Sequence, residues 1–153
     1  MNGLLSHLVA YADTDAGGVM YHGRYVELAE RSRLLCLHGL GWTMARLEAE
    51  LGLKLVVWRL DTAFQRPARL EECLVATSRV TAATEAHVAM STEIRRDDVR
   101  LASVAARLVG VREGALARLP AALLADLQSC SAEAGGRTAP RGTRAGASLT
   151  LVP

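Results

Sequence analysis

The stretch Tyr11-Ala-Asp-Thr-Asp15-Ala-Gly-Gly18-Val-Met-Tyr21-His22-Gly-Arg-Tyr25, which continues into Glu30-Arg31-Ser32-Arg33, divides into a turn and the start of a helix. Asp13 to Gly18 supplies the Asp and Gly residues that tight backbone bends favour. From about Arg24 to Leu37 the pattern becomes helical: Tyr25, Leu28, Ala29, Ser32, Leu35 and Cys36 fall on one face. Leu34 and Leu37 widen the apolar surface, which predicts a helix wrapped by other elements. Glu27 and Arg31 lie one turn apart, in position to pair, and Gly39 supplies a C-terminal stop.

Working outward, Leu4 to Tyr11 reads as a first strand. It is apolar but too short to span a bilayer, and no basic residues precede it as in a signal peptide. Downstream, a short helix is expected from about Thr43 to Glu50. The period then changes to that of strands, over Leu55–Ala63, Glu71–Ala82, His87–Arg96 and Val99–Arg112. Val88, Met90, Thr92 and Ile94 share one face of the third of these. Asp97-Asp98 makes a hairpin into the fourth, which is apolar on both faces, as in a central strand or one at a subunit contact. Pro120 opens a last helix to about Gln128. Residues 129–148 contain no large apolar residue to offset the entropy of ordering. The expectation is therefore a domain over 1–128 and a disordered tail over 129–153. One long helix and an antiparallel meander give an α+β domain, with the helix on the concave face of a five-stranded sheet.

A chain of 153 residues can build one core without disulfides or metals. Its formal net charge of +2 argues against nucleic acid as a partner, and no segment reads as an integral membrane span. Cys36, Cys73 and Cys130 are odd in number and far apart, so no disulfide framework or zinc site is expected and a reducing cytoplasm is the natural home.

The chemistry lies in the turn. A carboxylate, Asp15, sits just ahead of a helix whose first N–H groups are unpaired and carry partial positive charge. Such an end can polarise a carbonyl and hold a developing oxyanion, and Gly17 and Gly18 let backbone approach a substrate closely. The combination suits acyl transfer. It suits thioesters in particular, because a thiolate departs with little help from an acid. The carboxylate can attack the carbonyl or deprotonate water. No G-x-S-x-G nucleophile elbow is present. Considered by itself, an aspartate before a helix is usually a cap or turn former, and Asp15 reads first as that.

The same residues closely resemble the 4-hydroxybenzoyl-CoA thioesterase-like hotdog family, and within it the acyl-CoA thioesterases associated with the Tol-Pal system. That branch's pattern, Y-x-D-T-D-A-G-G-V-V-Y-H-x-x-Y followed by E-R-A-R, is nearly complete here, with Met20 for a valine and Ser32 for an alanine. Phe64-Gln65-Arg66-Pro67-Ala68-Arg69 resembles the family's R-P-A turn, and the likeness extends from about Leu8 to Leu127.

The resemblance implies a hotdog fold and acyl-CoA thioester hydrolysis, with Asp15 as nucleophile or general base and Tyr11 and His22 as its companions. It implies backbone N–H groups at Gly18 and around His22 on the carbonyl. Gly17, Gly18 and Tyr21 become candidate substrate contacts, although Tyr21, like Tyr25, also reads as a packing residue. Arg66 and Arg69 are candidates for the CoA phosphates. Asp13 reads as a turn former, and Glu30 as a structural ion-pair partner of Arg31 and Arg33. The substrate would be an acyl-CoA or an acyl carrier protein thioester. The assembly would be a homodimer or homotetramer, and no metal or prosthetic group is implied. Two other readings stay open: a hotdog 3-hydroxyacyl-thioester dehydratase or hydratase, and a non-catalytic acyl-carrier-binding scaffold.

Overall fold

In a computed structural model, which describes residues 3–135, the chain forms β1 (Gly3–Leu8), α1 (His22–Gly39), α2 (Met44–Leu51), β2 (Lys54–Phe64), β3 (Cys73–Ala83), β4 (Val88–Arg96), β5 (Val99–Arg112), β6 (Ala115–Ala117) and α3 (Ala121–Gly135). The strands make one antiparallel sheet in the order β1-β3-β4-β5-β2, with the short β6 added to the end of β5. The sheet thus has six strands where the sequence suggested five. Ala115–Ala117 is too short to carry a legible alternation.

Alternation decides which face of the sheet meets the helix. In β4, Val88, Met90, Thr92 and Ile94 point inward, opposite Leu108, Ala106, Val104 and Ala102 of β5. The β3 residues Leu74, Ala76, Ser78 and Val80 complete this surface. Directly opposed residues of an antiparallel pair share a face. The register of β5 with β2 therefore puts Leu55, Val57, Leu60, Thr62 and Phe64 on the helix side as well. α1 packs against β1, β3 and β4, and a Cβ at Gly3 would fall on the Ser32 carbonyl, so the two backbones are in close approach. The buried polar pair Ser78 and Thr92 is satisfied by a mutual hydroxyl hydrogen bond of 2.6 Å.

The core falls into two clusters. One joins the C-terminal end of α1 to α2, α3 and the sheet through Leu37, Trp42, Leu47, Leu53, Met90 and Leu123. The other gathers Met20, Tyr25, Leu28, Ala68, Leu74 and Ile94 around the N-terminal end of α1. This second cluster fixes the turn that precedes the helix.

Beyond the sixth strand, the structure departs from the sequence expectations at several points: β1 ends at Leu8, and Tyr11, expected in it, begins a short 3-10 turn over Tyr11–Asp13. Leu35, which the helical period puts on the buried face of α1, is exposed, as is Leu34, while Arg33 is buried at 5% exposure. The helix is covered along one side and left open toward β2. Glu27 pairs with Arg24 rather than Arg31, through a contact of 2.6 Å. Glu30 forms no ion pair with Arg31 or Arg33 among the described residues. Finally, α3 continues past Gln128 to Gly135. Adding residues to an established helix costs less than starting one, and Ser129 and Ser131 donate back to the carbonyls of Asp126 and Gln128. The rest of the expected tail, 136–153, lies outside the described residues.

Candidate active site

The turn before α1 is a small hairpin closed by backbone hydrogen bonds. Tyr21 N donates to Asp13 O at 2.8 Å and Asp15 N to Val19 O at 3.0 Å, with Thr14 and Met20 bridged between them. Gly18 N returns to Asp15 O, and Gly18 takes φ +73°, a value that a side chain would disfavour. The Asp15 carboxylate is exposed and accepts one hydrogen bond, from Gly17 N to Oδ1 at 2.8 Å. Its other oxygen has no protein partner among the described residues.

Two sets of contacts hold this hairpin in place. On one side Asp13 is buried. Its Oδ2 accepts from Ala10 N at 2.8 Å and lies 2.9 Å from His7 Nε2, while Oδ1 lies 3.4 Å from Arg24 Nε. Burial opposes the charge on Asp13. The Ala10 N–H, the His7 ring and the Arg24 guanidinium outweigh it and hold the carboxyl below its ordinary value. On the other side Met20 N donates to Ala68 O at 2.8 Å. Ala68 N in turn donates to the Tyr25 hydroxyl at 2.9 Å. The Tyr25 ring meets Phe64 edge-on, with centroids 5.4 Å apart. Burial is the main cause of the raised Tyr25 pKa, so the phenol stays protonated.

Asp15, His22, Tyr25, Phe64, Gln65 and Arg66 line a cleft of about 320 Å³. The α1 N-terminus opens beside it. Tyr21 N is used by Asp13 O and Arg24 N by Tyr21 O, which leaves the N–H groups of His22 and Gly23 without an acceptor among the described residues. The His22 ring lies between Tyr21, at 4.3 Å, and the edge of Phe64, at 6.4 Å. The cleft therefore combines an exposed carboxylate, an imidazole, an open helix end and an arginine at its rim.

The expected site residues separate on this geometry. Asp15, His22 and Arg66 share the cleft. Tyr11 is 81% exposed and outside it, with its carbonyl accepting from the Thr14 hydroxyl. Tyr21 packs on His22 rather than lining the cleft. Gly17 N and Gly18 N are both committed to Asp15, so the open donors are those of His22 and Gly23 instead. Arg69 is exposed, and its backbone N–H donates to Glu72. Residues that the sequence reading passed over are His7 and Arg24, which clamp Asp13, and Phe64 and Gln65, which wall the cleft. His7 and Asp13 are six residues apart on different elements, and nothing in the spacing marks them as partners.

Residues 9–127 match the model of a family described as the thioesterase-like superfamily. The acyl-CoA thioesterase YbgC of Haemophilus influenzae is 32% identical over 106 residues, covering 69% of this chain and 78% of that protein. The acyl-CoA thioester hydrolase YbgC of Escherichia coli O6:H1 is 38% identical over 73 residues, covering 48% of this chain and 54% of that protein. A crystal structure of a probable thioesterase from Bartonella henselae superposes with a TM-score of 0.72 at 29% identity, covering 78% of this chain and all of that one.

Proposed function

The chain belongs to the thioesterase-like superfamily, and on that premise we propose that it is an acyl-CoA thioesterase. Water and a thioester give a free acid and CoA thiol, with Asp15 at the centre of the reaction. The observation that carries this reading is the exposed Asp15 carboxylate in one cleft with the open N-terminus of α1. The N–H groups of His22 and Gly23 donate to the thioester carbonyl oxygen and stabilise the negative charge that develops on it. Gly17 N anchors one oxygen of Asp15, and the other either takes a proton from the attacking water or attacks the carbonyl carbon itself. The C–S bond breaks and the thiolate leaves, becoming protonated from solvent; on the second route water then hydrolyses the anhydride formed on Asp15, which releases the acid and restores the carboxylate. Neither route calls for a prosthetic group. His22 orients the acyl carbonyl, and Arg66 at the rim meets a phosphate of the CoA or carrier arm.

A homodimer or homotetramer belongs to the same proposal. β2 is an edge strand that leaves Val56, Val57, Trp58, Leu60 and Phe64 exposed, with Trp58 at 64%. Open apolar edges are normally covered, and pairing with β2 of a second copy would cover this one. A cytoplasmic location rests on the cysteine usage. Among the described residues, no helix is long and apolar enough to cross a membrane.

The test is a thiol-release assay on the purified protein, with acyl-CoA and acyl-carrier thioesters side by side. Turnover of at least one CoA thioester is expected. Tight carrier binding with no turnover of any thioester would replace an enzyme with a scaffold. The shared cleft of His22 and Asp15 also contains the imidazole–acid pair that a hydratase needs. Hydration of crotonyl-CoA without thiol release would assign the site to that reaction.

A further inference from the structure

A second crevice, of about 390 Å³, opens at the other end of α1, walled by Arg33, Leu34, Leu37, Met44, Val57 and Leu108. It and the Asp15 cleft share two walls. Each is bounded by α1 on one side and by the helix-facing row of β2 on the other: His22, Tyr25 and Phe64 at the first, Arg33, Leu34 and Val57 at the second. Leu60 and Thr62 of the same row lie between them. From His22 to Arg33 the helix rises about 16 Å. At C–C bonds of about 1.5 Å in a zigzag, that distance matches an extended chain of roughly a dozen carbons.

Hydrocarbon would suit every wall of the distal crevice but two, Arg33 and Glu30. Arg33 is buried at 5% exposure, and its Nη1 has no hydrogen-bond partner among the described residues. Glu30 is exposed, and its charge favours the ionised guanidinium from a distance, but it forms no hydrogen bond or ion-pair contact with Arg33 among the described residues. A buried guanidinium N–H left unmatched is costly. A cavity meant only for a methyl end would be better served by leucine.

We propose that this crevice receives the far end of the acyl group, and that Arg33 donates there to an oxygen carried by the acyl chain. The favoured substrates are then thioesters of long acids with a hydroxyl or carboxylate remote from the reacting carbonyl. The inference rests on the thioesterase reading and names its substrate class.

The test compares kcat/KM for lauroyl-CoA, ω-hydroxylauroyl-CoA and the mono-CoA thioester of the matching dicarboxylic acid, with butyryl-CoA as a short control. The wild type should favour an oxygenated chain over lauroyl-CoA by roughly tenfold or more, the range of one charge-assisted hydrogen bond. Arg33→Met should erase that ratio while retaining lauroyl-CoA hydrolysis. Leu34→Trp, which narrows the crevice without touching the guanidinium, should depress all three long substrates and spare butyryl-CoA. It keeps the test open if Arg33→Met does not fold.

Equal wild-type rates on the three long chains would overturn the inference, as would a preference that survives Arg33→Met. So would an Arg33→Met protein that sediments as a smaller species with its substrate ratio intact, since the guanidinium would then serve a contact between copies. In each of these cases thioester hydrolysis itself stands. No turnover of any of the four would remove the thioesterase reading, and this inference with it.

Discussion

Asp13 and Asp15 stand two residues apart in one turn and live in opposite surroundings. Asp13 is buried, engaged by Ala10 N, His7 and Arg24, and held ionised by them. Asp15 is exposed, has one backbone donor, and faces the cleft with an oxygen to spare. A buried carboxylate with both oxygens engaged can set the shape of a loop but is closed to a substrate. One that is anchored by a single N–H keeps its position and its reactivity. The two aspartates thus divide the work of the turn: one fixes it and the other acts.

Substitution by asparagine breaks or sharpens that division. Asp15→Asn keeps the acceptor for Gly17 N but removes the charge. Thiol release should fall by about 10²–10⁴-fold, while the melting temperature stays within the scatter of ordinary surface changes. Near-normal turnover in this variant would transfer the chemistry to another group. Asp13→Asn should do the reverse. It turns an amide toward His7 and Arg24 and should cost about 1–3 kcal/mol of stability in denaturant unfolding. Activity should drop less than for Asp15→Asn, because the reacting group is intact but less well held.

Acid sharpens the same contrast. The folded-state pKa of Asp13 lies below the ordinary value of 3.8. Its contribution to stability is therefore complete above that ordinary value and is lost as pH falls through the folded one. An unfolding series taken down from pH ~5 should show the wild type losing stability on this limb, with a shallower loss in Asp13→Asn. Equal slopes would mean that the clamp contributes nothing. The smallest effect belongs to the opposite support of the turn. Tyr25→Phe keeps the ring against Phe64 but strands the buried Ala68 N–H, for a loss of about 1 kcal/mol in thermal or chemical unfolding. Turnover should change by less than tenfold.

Much of this architecture is legible without coordinates. Period-two alternation placed Val88, Met90, Thr92 and Ile94 on one inward face, and the apolar character of both faces of Val99–Arg112 fits its central place between β4 and β2. The helical repeat located α1 to within two residues at each end. It erred on which residues α1 buries, because period counts apolar positions and cannot say which neighbours exist. Leu34 and Leu35 are left exposed, Leu34 at the open crevice between α1 and β2, while Arg33 is buried in its wall.

The site divides in the same way. The D-T-D-A-G-G turn pointed to Asp15 through local chemistry, since a carboxylate ahead of a helix end is visible in sequence order alone. The distinction between Asp13 and Asp15 was only half visible, because the partner His7 lies on another element. The open donors belong to His22 and Gly23 because Gly17 N and Gly18 N fold back on Asp15.

By itself the sequence determined the elements, the inward faces of its strands and the acidic turn before the helix, all of which follow from spacing and local propensity. Tertiary structure alone decided which aspartate is spent on the fold, which N–H groups remain open, and that Arg33 is buried with one nitrogen left without a hydrogen-bond partner among the described residues. Those outcomes depend on groups brought together from distant parts of the chain, and the competition among them for a limited set of donors and acceptors has no counterpart in linear order.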